Sequence, residues 1–508
     1  MLRIAEAGLG VAIWISVLAF GGTSAPFFCI AQLTILLLGM LVLFSRLRSP
    51  LNIIRPAHTI PLLLVALVLL QIVPFPTSFA PLLQARREVL QGSSFTLSFA
   101  PYQTVSYFLL LVTYWTAFYL TLVVCKDGKA RTRFLYVLLA LGTFEALYGL
   151  VQYLTGWQQI FTYVKKYYLE DATGTYINRN HFAGLLEMLL PFAVGLGLQH
   201  LRTLRRVSRR SEERVRAALS ARELVPLLLA VFVCVIIFTA LVFSRSRMGI
   251  ASTVASLLVV LTCATRGPRP ERSPSLMAAL LSLGVIGLAM WIGSDPVITR
   301  FETLAREYAQ TDQNRVSIWR DTWKLIRQHP LLGTGLGTFS VAYPSVQTAF
   351  LNYRVEHAHC DYLEVTTDLG VPGAVLVFGP IFWVLAQAVR GCGKVEDGGG
   401  NFVRLGCIGS ISAILMHCFT DFNLYIPGNA LVFFVVVALA WSIISPQGPS
   451  PPHRSGSCSE EAGPNSISEI VLRTLPLGRD ANCPSISPSE SSLRLIPHPQ
   501  RCHSNVSV

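Results

Sequence analysis

Charge is what this chain of 508 residues has least of. Asp, Glu, Lys and Arg make up only 14% of it, against 52% hydrophobic residues and a mean hydropathy of +0.52. A surface that poor in charge excludes an ordinary soluble domain and puts the chain among membrane proteins. The eleven cysteines include no Cys-x-x-Cys pair and sit mostly in apolar stretches or in the tail. That excludes a zinc or disulfide framework and leaves them as small hydrophobes. No internal repeat is visible. A dinucleotide fingerprint is missing too, because the Gly333-x-Gly335-x-Gly337 turn lacks a preceding strand and a βαβ setting.

What the chain does have is long apolar runs. A spanning helix needs about 20 mainly apolar residues, and about twelve stretches qualify. They lie near 4–22, 26–45, 58–75, 104–125, 134–155, 181–199, 224–243, 248–265, 275–294, 370–389, 403–420 and 428–445. Basic residues alternate between the connecting loops, with Arg46, Arg48 and Arg55, then Lys126, Lys129, Arg131 and Arg133. The run Arg202 to Arg222, the group Arg266, Arg269 and Arg272, and the pair Arg390 and Lys394 follow. These loops are expected to be cytoplasmic. The net charge of +13 therefore belongs to flanks facing anionic lipid rather than to a nucleic-acid surface. The first apolar run is read as an uncleaved anchor, because a cut after Thr23-Ser24-Ala25 would leave Pro26 at the new terminus.

The fold class expected is thus an all-α integral membrane protein of about 12 transmembrane helices over residues 1–445. Three loops fall on the outer face: 76–103, 156–180, and the largest, 295–369, with helical character over 313–328 (Val316, Trp319, Trp323 and Ile326 at helical spacing). Residues 446–508 are rich in Ser and Pro and read as a disordered cytoplasmic tail.

The residues able to carry chemistry cluster on the outer loops. His357 and His359 close the largest one, and imidazole accepts protons near neutrality. Two residues apart, they face one way only on an extended segment, so one can act while the other holds structure. A metal site built from these histidines and Asp361 lacks further ligands, and neither metal nor cofactor is expected. Ser244-Arg245-Ser246-Arg247-Met248-Gly249 puts two arginines at the junction of two spans, where ionisable groups are costly and guanidinium suits pyrophosphate. A headgroup anchor is the plainer use of either arginine. Arg315 shares a helical stretch with Trp319. Asn178, Asn180 and His181 enter a span with side chains suited to sugar hydroxyls or to capping. Asp421 lies at a helix end, placed to orient a histidine or arginine. Gly333, Gly335 and Gly337 serve a tight turn or a close backbone approach.

Together these residues resemble the O-antigen ligase and polymerase superfamily of bacterial membrane glycosyltransferases over roughly 170–430. Its histidine-plus-amide element followed by Gly-x-x-Gly matches His359, Gly370 and Gly373, with Cys360 standing where Asn, Ser or Gln is usual. Its Ser-Arg-x-Gly element matches Ser246-Arg247-Met248-Gly249, its arginine matches Arg315 with Trp319, and its Pro-x-x-Gly-x-Gly turn matches Pro330, Gly333 and Gly335. The resemblance implies a GT-C-like fold in the bacterial inner membrane, with the site on the periplasmic face. It implies a polyprenyl-diphosphate-linked glycan donor, a lipid or glycan acceptor, and metal-independent, inverting transfer, which fits the lack of acidic DxD pairs. On that reading His359 deprotonates the acceptor and Arg247 and Arg315, with Arg245, hold the diphosphate. Polymerase and protein O-oligosaccharyltransferase chemistry would use the same residues. A lipid-linked-sugar flippase is the rival of another class; it would show broken-helix symmetry between halves and would not need the histidine.

Overall fold

The computed structural model describes residues 2–46, 56–79, 94–210, 213–266, 315–348, 353–393 and 400–445. The expected span 275–294, the start of the large loop (295–314) and the tail 446–508 lie outside them. The helices are α1 (Leu2–Leu18), α2 (Ala25–Arg46), α3 (Pro56–Ile72), α4 (Pro101–Val124), α5 (Gly128–Thr155), α6 (Arg179–Arg210) and α7 (Glu213–Phe243). After them come α8 (Arg247–Ala264), α9 (315–328), α10 (Phe339–Ala342), α11 (Asp361–Arg390), α12 (Gly400–His417) and α13 (Pro427–Ile444). Strand structure among the described residues is confined to two short ladders, Phe75–Pro76 with Ser94–Phe95 and Gln159–Ile160 with Tyr163–Val164. A helix stands at each expected span within the described residues, and eight helices there are long and apolar enough to cross a membrane.

Burial separates core helices from peripheral ones. The apolar stretch of α6 is 89% buried, whereas that of α2 is 22% buried and presents Leu33, Leu37, Leu41 and Phe44 outward. Such a face is stable only against hydrocarbon, since in water it would cost roughly 25 cal/mol per Å². Around α6 pack α7, α8 and α12, while α13 packs on α4 and α12. Two acids buried inside the bundle are paired, as low polarity requires. Glu145 of α5 accepts the Thr175 amide at 2.9 Å and its hydroxyl at 2.7 Å. Glu187 of α6 joins His417 Nδ1 of α12 at 3.0 Å and the Ser252 hydroxyl of α8.

Two expectations need correction. Residues 361–369 were expected to be loop, with a span beginning at 370, but α11 already begins at Asp361. Gly-Val-Pro-Gly marks a break inside a helix, not its start: Gly370 adopts φ 71° and ψ 175°, open to glycine alone. The break frees two carbonyls and an amide, which the segment 330–335 takes up. Thr334 N donates to Thr367 O at 2.9 Å, Gly335 N to Asp368 O at 3.0 Å, and Val371 N to Pro330 O at 2.8 Å. The Gln71 amide adds a bond to Asp368 O at 2.8 Å. The second correction concerns α9. Its buried face is Ile318, Asp321, Thr322, Leu325 and Ile326, so Ile326 of the expected stripe is buried while Val316 and Trp323 are exposed. The expected stripe missed the rest of this face, where buried Asp321 accepts the Thr348 amide and hydroxyl at 2.8 and 2.9 Å.

A methyl group at Gly370 would collide with the Leu331 carbonyl in a backbone setting that L-residues avoid. Gly370→Ala is therefore expected to destabilise the protein by about 3 kcal/mol or more. Gly156→Ala, at φ 70° with open space around it, should cost only about 1 kcal/mol. Thermal unfolding of the detergent-solubilised protein checks the contrast, and equal midpoints would show that the α11 break needs no glycine.

Candidate functional site

The segment leading into α11 carries both histidines, and their surroundings differ. Nδ1 of His357 is 2.8 Å from Glu364 Oε1, and the other oxygen of that carboxylate accepts the Ala358 amide at 2.8 Å. The His357 ring lies flat on Phe422, centroids 4.0 Å apart and planes 13° apart. Burial disfavours its imidazolium, but Glu364, with Asp361 and Glu356, outweighs burial and the pKa is raised. His357 is thus clamped on both faces of its chemistry.

His359 is not. It sits at φ 51°, a left-handed setting that costs a non-glycine residue about 1–3 kcal/mol. Its ring meets Phe422 edge-on at 5.2 Å, and its Nδ1 is buried with no hydrogen-bond partner among the described residues. Burial, then the charges of Arg315, His357 and His181, pull its pKa down to about 4, with Asp421 acting the other way. At neutral pH this imidazole is uncharged and able to take a proton. Cys360 opens α11 without a side-chain cap, while Glu364 in the first turn reaches back to the Ala358 amide.

Asp421 lies against this pair. It follows α12, and its carbonyl and that of Cys418 accept the Asp361 amide at 3.2 and 2.9 Å. Its Oδ1 is 3.6 Å from His181 Nε2, and His181 touches the edge of Phe422 at 4.8 Å. Burial opposes its ionisation, yet His181, His417 and His359 together hold its carboxyl well below the usual range. Phe422 is therefore a hydrophobic post with imidazoles 181, 357 and 359 around it and one ionised carboxylate beside it.

Arg315, at the start of the described part of α9, donates to Thr420 O at 3.3 Å, and Trp319 donates to Ala358 O at 3.0 Å. Helix α9 thus crosses both segments bearing His359 and Asp421. Arg247 opens α8 directly after the Ser246 cap, whose hydroxyl accepts the Gly249 amide at 3.3 Å. Gly249 lets α8 close on α6, since a methyl there would sit 2.6 Å from Ala183 Cβ. The first turns of α6 and α8, the end of α12 and the start of α11 meet at one end of the bundle. Arg245 occupies the α7–α8 turn at φ 53° and is paired already, 3.4 Å from Glu170 and 3.6 Å from Asp171.

The supporting residues divide. Asn180 lies in the first turn of α6, its amide capped by Asn178 Oδ1 at 2.8 Å. Gly335 and Gly370 serve the α11 break, and Gly373 gives room to Leu369 and Leu67. Not expected as site residues were Glu364, Phe422, Tyr168 and Arg179. Asn178-Arg179-Asn180-His181 signalled the start of a span, but nothing in its spacing told that Asp421, far along the chain, would face it. Burial raises the Tyr168 phenol, over which Arg179 lies at 5.3 Å; the charges of Arg179 and Arg315 lower it and those of Asp421 and Asp171 raise it. Among the described residues no group of three His, Cys, Asp or Glu side chains has metal-holding geometry.

Residues 232–378 match the family model described as O-antigen ligase. The match takes in Arg245, Arg247, Arg315, both loop histidines, Gly335, Gly370 and Gly373, while Asn180 and Asp421 fall outside it. No curated protein matches the chain.

Proposed function

For a chain that carries a domain of the O-antigen ligase/polymerase superfamily, we propose a ligase-type transfer of glycan from a polyprenyl-diphosphate carrier to an acceptor hydroxyl in surface-polysaccharide assembly. The observation that carries this reading is the neutral imidazole of His359, its buried Nδ1 without a hydrogen-bond partner among the described residues, within reach of the charges of Asp421 and Arg315 at the bundle end where α6 and α8 begin with arginines. His359 takes the acceptor proton as the acceptor oxygen attacks the anomeric carbon from the face opposite the diphosphate. Carbon–oxygen cleavage releases the carrier diphosphate, and Arg315 and Arg247 balance its growing charge. Asp421 stabilises the imidazolium that forms, and His357 with Glu364 holds the loop. Fixed guanidinium groups supply the charge that a divalent ion supplies elsewhere, so transfer is expected to persist in excess chelator. The site faces the periplasm in this reading, across the inner membrane from the arginine-rich loops.

Incubating the purified protein with carrier-linked glycan and, separately, lipid, glycan-repeat and protein acceptors tests the proposal. A glycosylated acceptor and free carrier diphosphate are expected; donor that moves between leaflets with no bond formed would overturn it. The pH dependence carries a second expectation. An ordinary histidine would lose its function as base below about 6.5. Burial, Arg315, His357 and His181 depress His359 to about 4 against the pull of Asp421, so kcat/KM for the donor should hold from pH 7 down to about pH 5. A fall centred near 6.5 would mean that some other group is the base.

A further inference from the structure

The place between Arg179 and Arg245 is already filled by a carboxylate of the chain itself. Asp171 is only 4% exposed. Its Oδ2 is 2.9 Å from Arg179 Nη1, its Oδ1 is 3.6 Å from Arg245 Nη1, and its carbonyl accepts from Lys165 Nζ at 3.1 Å. Lys165 is itself 5% exposed, and Arg179 lies over the Tyr168 ring at 5.3 Å. Two guanidinium groups thus converge on one buried carboxylate and an ammonium holds the backbone of the same residue, with Glu170, largely exposed, the other acid in contact.

Bonding capacity remains on both sides of this cluster. Asp171 Oδ1 and Arg179 Nε are buried and make no hydrogen bond among the described residues. Two arginines around one small carboxylate leave donors over, whereas a phosphoryl group has oxygens enough to engage both forks. Arg179 starts α6, whose N-terminal amides also favour an anion, and α8 starts alongside. The loop that supplies Asp171 is tied down at its two ends, by Lys165 N to Gln158 O at 2.9 Å and Ala172 N to Phe243 O at 3.0 Å. Between the ties, Lys166, Tyr167, Leu169 and Glu170 are exposed and Tyr168 takes φ 55°.

We infer that Asp171 is a resident place-holder for a phosphoryl group, and that the donor diphosphate reaches full contact by displacing it from Arg179 and Arg245. The inference rests on the transfer reading above and adds Arg179 to the groups that hold the donor. Exchange of one anion for another keeps the guanidinium groups paired throughout, which avoids the cost of an unpartnered buried charge. In the empty protein the carboxylate keeps the arginines in place and screens them from anionic headgroups.

The test measures binding of glycan-free polyprenyl diphosphate to the full-length protein in nanodiscs, in a His359→Gln background so that turnover plays no part. Asp171→Asn is expected to tighten binding roughly tenfold, about 1.4 kcal/mol, because the competing charge is gone. Arg179→Gln should weaken it by at least a similar factor, and Asp171→Asn should give no tightening once Arg179 is replaced. If Asp171→Asn binds equally or more weakly, Asp171 is a structural partner of Arg179 and the inference fails. Hydrogen exchange in the unsubstituted protein guards against a folding defect: residues 165–172 should exchange faster when the carrier binds, and unchanged exchange also overturns the displacement. Absence of carrier binding by the parent protein would instead remove the transfer reading, and the inference with it.

Discussion

Replacing His359 with Gln should lower glycan transfer by about 10²–10⁴-fold while changing carrier binding by no more than about twofold. Gln keeps much of the volume and a hydrogen-bonding edge, so the loop can close, but it cannot take a proton. The parent imidazole is suited to that task because its Nδ1 has no partner among the described residues and its charge-free form is favoured. His357→Gln should behave differently. It breaks the contact with Glu364 at 2.8 Å and the stack on Phe422 at 4.0 Å, loosening the loop that aims its neighbour. A loss of about tenfold, partly regained by cooling, is expected from a change of position rather than of chemistry. Single-turnover rates with saturating donor distinguish the two. Residual transfer above a tenth of the parent rate in His359→Gln would assign the base elsewhere.

Arg315→Gln should cost about 10²–10³-fold in kcat, the usual loss when a fixed charge aimed at a leaving group is removed. This guanidinium is held by Thr420 O at 3.3 Å, on the segment that ends in Asp421. It also belongs to the charges that depress His359, so its removal carries a second signature. The acid limb of kcat/KM should move upward in pH, because one of the cations opposing the imidazolium is gone. Arg315→Lys should restore the limb but only part of the rate, since an ammonium keeps the charge and loses the fork. A slow Arg315→Gln enzyme with an unmoved limb would mean that Arg315 acts on the loop's shape alone.

The histidine pair shows how far the sequence could be read. His359 stood out by its place before Gly370 and Gly373, yet no spacing rule could separate it from His357. That choice depends on Glu364, one turn into a helix that the sequence placed as loop, and on Phe422, which follows α12. The glycines show the reverse. Gly335 and Gly370 were legible as special backbone positions, but their pairing across Asp368 and Leu331 required two distant segments to meet. Asp171 gave no signal, because a lone acid in a polar loop gains meaning only from the two arginines it is folded against.

Apolar run length and the scarcity of charge were enough, by themselves, to establish a helical membrane protein. Each depends on the local cost of placing backbone and charge in hydrocarbon, a property of successive residues. The break in α11, the inward face of α9, the division of labour between His357 and His359 and the occupied pair of arginines were decided only by tertiary structure. Those features depend on which helix ends meet, and the energy of a buried charge or an open carbonyl is set by the partner that arrives from another part of the chain.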